Sequence, residues 1–110
     1  MPNLKGQRGI MVKLLMSWDI KSGQDAEYFE FVVREFVPGL TRLGLQPTEA
    51  WLTVYGDCPQ VLTGGIAEDL STMQRILGSK EWEKLHSRLL EMVTDYRQKI
   101  VRATGSLQIF

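Results

Sequence analysis

The chain has 110 residues, 44% hydrophobic and 24% charged, with 13 Lys plus Arg against 13 Asp plus Glu and a formal net charge of zero. This length suits one hydrophobic core rather than two. The charge balance excludes the basic excess of a general nucleic-acid binder and gives no hold on an anionic membrane surface. Cys58 is the single cysteine, which excludes an intrachain disulfide and the paired-thiol metal sites and suits a reducing cytoplasm. No apolar run approaches the roughly 20 residues of a membrane span, so a cytoplasmic location is expected.

Residues 1–9, with Pro2, Gly6 and Gly9, read as an N-terminal arm, and residues 10–110 as the domain. Ile10–Trp18 is the first strand. Ser22 with Asp25 marks a helix start. From there Phe29, Val32, Val33, Phe36, Leu40 and Leu43 fall on a stripe about 100° wide at helical period. Pro38 is expected to end or kink that helix near Val37, and Gly44 to cap it. Tyr28 and Phe31 fall outside the stripe, and Glu30–Arg34 has the spacing of a solvated ion pair.

Alternation returns over Glu49–Tyr55, and Gln60–Ala67 is its hairpin partner across a GDCP turn. Gly64-Gly65 within the partner strand predicts a bulge or a close backbone approach. Ser71 and Gln74 form a capping box for a short helix closed by Gly78. Ser79, followed by Glu81 and Glu83, opens a longer helix. Its apolar stripe takes in Trp82, Leu85, Leu89, Met92, Val93, Tyr96 and Ile100, with Asp95–Lys99 a second ion pair. Gly105 ends it, and Leu107–Phe110 supply a last short strand. The order is β-α-β-β-α-β, an α+β ferredoxin-like fold with an antiparallel four-stranded sheet.

The period of two divides the strands into faces. One face carries Ile10, Val12, Leu14, Met16 and Trp18, with Leu52, Val54, Leu62 and Ile66, and suits two amphipathic helices. The other carries Met11, Lys13, Leu15 and Ser17, with Trp51, Thr53, Tyr55, Val61 and Thr63. Two helices cover one face, and leaving Trp51, Tyr55, Leu15 and Met11 in water forgoes several kcal/mol at about 2–3 kcal/mol per aromatic side chain. A second copy stacked face to face solves this, so a closed twofold homodimer is expected.

The opening strand MVKLLMSWDI, the helix AEYFEFVVREFVPGL, the hairpin AWLTVYGDCPQVLTGGIAED and the segment LGSKEWEKL together resemble the dimeric α/β-barrel superfamily. SKEWEKL is similar to a segment of NIPSNAP-like members. The resemblance implies a barrel closed by the sheets of two subunits and a ligand site between helix and sheet. It also brings in relatives that are cofactor-independent monooxygenases, isomerases or haem-degrading enzymes.

His86 is the one histidine, so any imidazole base or ligand must be this residue. It stands one helical turn beyond Trp82. Haem-degrading relatives pair a helix histidine with an asparagine on the first strand. This chain has Ser17 and Trp18 there instead, and Asn3 in the arm is its only asparagine. Trp51, Tyr55, Ser17 and Lys13, with Trp82, are the candidate ligand pocket, suited to an apolar or aromatic molecule. Trp51, Tyr55 and Ser17 equally suit the core of a dimer interface. Asp19 reads as a turn cap or as a base at a cavity mouth, and Cys58 as a loop thiol. Hydrolase, kinase and dinucleotide signatures are missing from the chain. The expected activity is that of a cofactor-independent monooxygenase or isomerase with His86 moving the proton, with no cofactor and no metal. The alternatives are a non-catalytic dimerisation domain, or haem binding through His86.

Overall fold

Side-chain alternation sets the first element. In the computed structural model, which describes residues 10–54, 56 and 59–103, strand β1 (Val12–Ile20) buries Val12, Leu14, Met16 and Trp18. Lys13, Leu15 and Ser17 are left half-buried on the opposite side. The expected strand is therefore present, shifted two residues along the chain.

Helix α1 (Asp25–Phe31) continues through a π-helical turn (Val32–Phe36) into α2 (Val37–Leu43). No side chain caps its start at Gln24, but Asp25 and Glu27 in the first turn suit the helix dipole. Pro38 does not end the helix. It lacks an N–H and its ring crowds the carbonyl four residues back. The turn before it widens instead, so that the Val37 N–H donates to the Val32 carbonyl. A π turn holds one extra residue and rotates the helix beyond it. The buried set is thus Tyr28, Phe31, Phe36 and Leu40. Phe29 and Val33, expected in the core stripe, face outward, Val33 at 70% exposure. Tyr28 and Phe31 are core residues, contrary to expectation. Gly44 caps the run with φ 105°, a conformation that L side chains resist.

Of the expected strand over 49–55 only β3 (Trp51–Leu52) forms among the described residues, and a second short piece, β2 (Gln46–Pro47), precedes that span. Both lie along β4 (Val61–Ala67). Trp51 pairs with Leu62, and the Thr53 N–H closes the hairpin on the Gln60 carbonyl at 2.8 Å. Trp18 pairs with Val61 and Leu14 with Gly65, so β4 turns Val61 and Ala67 into the core and Leu62 to the open side. That reverses the expected faces of this strand. Directly opposed residues share a face, and an offset of one residue exchanges every side chain. Gly64 is a point of close approach, as expected: a Cβ there would stand 2.7 Å from the Leu14 carbonyl oxygen.

Helix α3 (Leu70–Leu77) is capped by Asp69, whose carboxylate accepts the Thr72 N–H, rather than by the expected Ser71. Gly78 closes it. Ser79 caps α4 (Lys80–Met92) by accepting the Trp82 N–H. The long helix expected to reach Gly105 ends at Met92, and β5 (Val93–Arg102) pairs antiparallel with β1. The spacing of Val93, Tyr96 and Ile100 imitates a helical stripe. The free edge of β1, with its unpaired amides and carbonyls, claims the segment as a strand. Asp95–Lys99 is therefore not a helical ion pair, whereas Glu30–Arg34 is one, at 3.4 Å. Leu107–Phe110 lie outside the described residues.

The result is an open antiparallel sheet of five strands in the order β2-β4-β1-β5, with β3 beside β4. This is the expected α+β ferredoxin-like arrangement, β2 and β3 sharing the place of its second strand. The core lies between one face of the sheet and the helices. Among the described residues no helix is long and apolar enough to cross a membrane.

Candidate functional site

The most polar chemistry inside the core gathers at the C-terminal end of β1. Trp18 stands there with its ring stacked on Tyr96 at 5.8 Å and edge-on to Phe36 at 6.2 Å. Phe36 meets Trp82 at 6.4 Å, Trp82 stacks on His86 at 5.2 Å, and His86 meets the edge of Tyr96 at 4.6 Å. These contacts close a ring of five aromatic side chains drawn from β1, the π turn, α4 and β5. Local structure explains each placement. The π turn directs Phe36 inward, and the four-residue spacing of α4 stacks Trp82 on His86. The register of β5 on β1 shifts between Ser17 and Asp19. Asp95 takes up the extra residue with φ 52°, a conformation Asp tolerates better than most. This bulge is what lets both Val93 and Tyr96 face the helices.

Three polar groups sit in this layer. The Trp18 Nε1–H donates to the Tyr28 hydroxyl at 2.9 Å, and the Tyr96 hydroxyl donates to Gln98 Oε1 at 2.7 Å. His86 Nε2 is buried and has no hydrogen-bond partner. Desolvation lowers the His86 pKa, so the imidazole is neutral at neutral pH. Burial raises the phenol pKa of Tyr28, an effect the Trp18 N–H partly offsets. Burial also raises that of Tyr96. The arrangement offers one neutral base in an apolar, π-rich surrounding.

The sheet divides the expected pocket. Trp82 and His86 lie on the helix side. Ser17, Lys13 and Trp51 lie on the open side, where Trp51 is 63% exposed. Tyr55 lies outside the described residues, as does Cys58. On the open side two shallow hollows flank Leu62. One, of about 510 Å³, is lined by Leu15, Ser17, Leu62, Arg97 and Lys99; the other, of about 310 Å³, includes Lys13, Glu49 and Trp51. A wider groove of about 1120 Å³ runs between the π turn and α4, but Arg34, Arg42, Lys80, Glu81, Lys84 and Arg88 line it and it is a solvated charged surface. Asp19, expected to cap a turn or to serve as a base, instead makes a long-range contact. Its carboxylate accepts the Gln60 N–H at 2.8 Å while Gln60 Oε1 accepts the Ile20 N–H at 2.9 Å, which ties the hairpin to β1. Trp18, Tyr28, Phe36 and Tyr96 are additions to the site that sequence reasoning misses. Hydrophobic periodicity marks Trp18, Phe36 and Tyr96 as core positions but not as neighbours of His86, and it leaves Tyr28 off the core stripe.

Haem does not fit at His86. A porphyrin bound at Nε2 needs open volume on that side of the ring, and Nε2 is instead enclosed between Trp82 and Tyr96. Among the described residues no three His, Cys, Asp or Glu side chains converge as metal ligands.

No protein-family model matches the chain, and no curated protein matches it in sequence. Solved structures do match. An uncharacterised NIPSNAP-like domain protein from Burkholderia xenovorans superposes with a TM-score of 0.67 at 17% identity, covering 93% of this chain and 92% of that one. SnoaB from Streptomyces nogalater, a cofactor-independent oxygenase solved as a mutant, gives 0.67 at 15% identity over 90% of this chain and 98% of its own. A dimeric protein of unknown function with a ferredoxin-like fold from Bacteroides fragilis gives 0.58 at 13% identity over 84% and 95%. The chain thus shares the fold of these NIPSNAP-like, oxygenase and dimeric ferredoxin-like structures, the fold that the sequence resemblance implied. At these identities the likeness is one of fold.

Proposed function

We propose that this chain is a subunit of a homodimeric α/β barrel that binds a small apolar or aromatic molecule in the aromatic layer around His86. There it acts as a cofactor-independent oxygenase or isomerase. The carrying observation is the buried, unpartnered Nε2 of His86 within that layer. Burial keeps the imidazole neutral, the form that can take a proton from a bound phenol or an activated C–H group. Trp82, Tyr96, Trp18 and Phe36 pack on one another and on His86, so an aromatic substrate reaches Nε2 by displacing one of these rings and taking its place against the others. SnoaB, of the same fold, is a cofactor-independent oxygenase, which supports the reaction class. The open sheet face, with Leu62 44% and Trp51 63% exposed, supports the dimer, as does the dimeric state of the Bacteroides protein.

The test is a ligand screen by thermal shift with phenols, quinones and fatty acids, because a ligand that binds only the folded state raises Tm by mass action. The reading expects an aromatic class to raise Tm. It expects His86→Phe, which keeps a ring between Trp82 and Tyr96, to fold and bind while losing turnover. If no class shifts Tm, the site reading fails. The enclosure of Nε2 then favours a second reading, a non-catalytic dimerisation domain in which His86 is only a packing residue.

A further inference from the structure

The aromatic layer around His86 has one weak side. Trp18, Phe36 and Trp82 are buried, and local structure holds each of them. The Trp18 N–H is tied to the Tyr28 hydroxyl, Phe36 is carried by the π turn, and Trp82 lies in the capped first turn of α4. Tyr96, by contrast, is only half-buried. It stands on β5, the edge strand that pairs with β1 alone, directly after Asp95 with its φ of 52°. Its hydroxyl is spent on Gln98 Oε1, part of an exposed side chain. Gln98 and Ile100 continue the same face of β5, opposite Met16 and Leu14, and both are exposed. The helices therefore leave the strand uncovered beyond Tyr96.

We propose that Tyr96 occupies the substrate's place, and that a phenol displaces its side chain toward Gln98 and turns a hydroxyl inward to His86 Nε2. The inference rests on the aromatic-site reading above. The Tyr96 ring lies within 10° of parallel to Trp18 and is inclined at 64° to His86. Trp82 is nearly parallel to the imidazole, and a parallel ring cannot carry a hydroxyl into the plane in which Nε2 forms hydrogen bonds. An inclined ring can. Tyr96 itself does not: its ring is tethered to β5, its hydroxyl goes to Gln98, and Nε2 is left without a partner. A free phenol has no tether and enters hydroxyl first. The exchange keeps a ring stacked on Trp18, releases the Tyr96 hydroxyl to water, and pairs a buried polar atom that is costly to leave bare. Tyr96 is thus a specificity-determining residue in two ways. It lowers the apparent affinity by the fraction of chains in which it has swung out, and it favours a flat ring with a hydroxyl over a hydrocarbon of the same shape.

Calorimetric titration with phenol and toluene, which differ by a hydroxyl against a methyl group, tests this on the wild-type chain and on Tyr96→Ala, with circular dichroism confirming that each folds. Removing the competing ring is expected to tighten phenol binding about tenfold or more, with phenol preferred to toluene. Adding His86→Phe to Tyr96→Ala is expected to abolish that preference. In the wild-type chain, saturation with phenol is expected to shift the Tyr96 ring-proton resonances as the ring leaves the face of Trp18, a readout that needs no substitution. Phenol that binds the wild-type chain without moving those resonances, or that Tyr96→Ala binds no more tightly, overturns the exchange while leaving the aromatic site standing. Toluene bound by Tyr96→Ala as tightly as phenol marks an engineered cavity only and overturns the inward hydroxyl. Phenol bound by neither protein overturns the exchange as well, and the aromatic site then stands or falls by the wider ligand screen.

Discussion

The two faces of this sheet are made from the same strands and behave as different materials. On the helix side, Leu14, Met16 and Trp18 lie beneath Phe36, Met73, Ile76, Trp82 and Leu89, all buried, and contacts are fixed by shape. On the open side, Leu15, Ser17 and Leu62 alternate with Lys13, Arg97 and Lys99, and Trp51 projects from the edge. The difference teaches where each kind of information lies. The covered face defines the fold of the chain, and the open face is the one on which the proposed dimer depends.

The largest expected effect is on the covered face. Trp18→Ala removes the indole that meets Tyr28, Phe36 and Tyr96 and leaves the Tyr28 hydroxyl without its donor. It is expected to cost about 3–5 kcal/mol in urea unfolding, and a loss under ~1 kcal/mol contradicts the packed-layer description. Gly64→Ala comes next. A methyl group there meets the Leu14 carbonyl at 2.7 Å, so the strands must part, and a loss of about 1–3 kcal/mol is expected.

A smaller effect depends on pH. The His86 pKa is lowered in the folded state, so below about pH 6.5 the unfolded chain binds the proton more readily. Stability should fall as pH drops from that value through the folded pKa, and level off below it. His86→Phe should remove that part of the slope, and an unchanged slope assigns it to other groups. The smallest effect is expected for Trp51→Ala, which should change the unfolding free energy of the dissociated subunit by no more than ~0.5 kcal/mol while weakening self-association.

Much of the helix side is legible from sequence. The period of two on β1, the glycine after Leu43 and the serine before Lys80 each act through local backbone chemistry. The features that cannot be read locally depend on partners distant in sequence. The π turn answers Pro38 by shifting the phase of a helix. The face of β4 depends on its pairing with β1. The strand over 93–102 exists because β1 has a free edge, and the bulge at Asp95 places Tyr96 beside His86. Sequence therefore brings His86 and Trp82 together and misses Tyr96. It also groups Trp51, Ser17 and Lys13 with Trp82 in a pocket, although the sheet stands between them.

Sedimentation equilibrium at micromolar concentration, read together with acrylamide quenching of tryptophan fluorescence, tests most directly whether the open face is a contact surface between copies. The account predicts a species of twice the 12.6 kDa chain mass whose emission is shielded throughout and gains a quenchable component only on dilution. A single 12.6 kDa species, with Trp51 fully quenchable at every concentration, contradicts it.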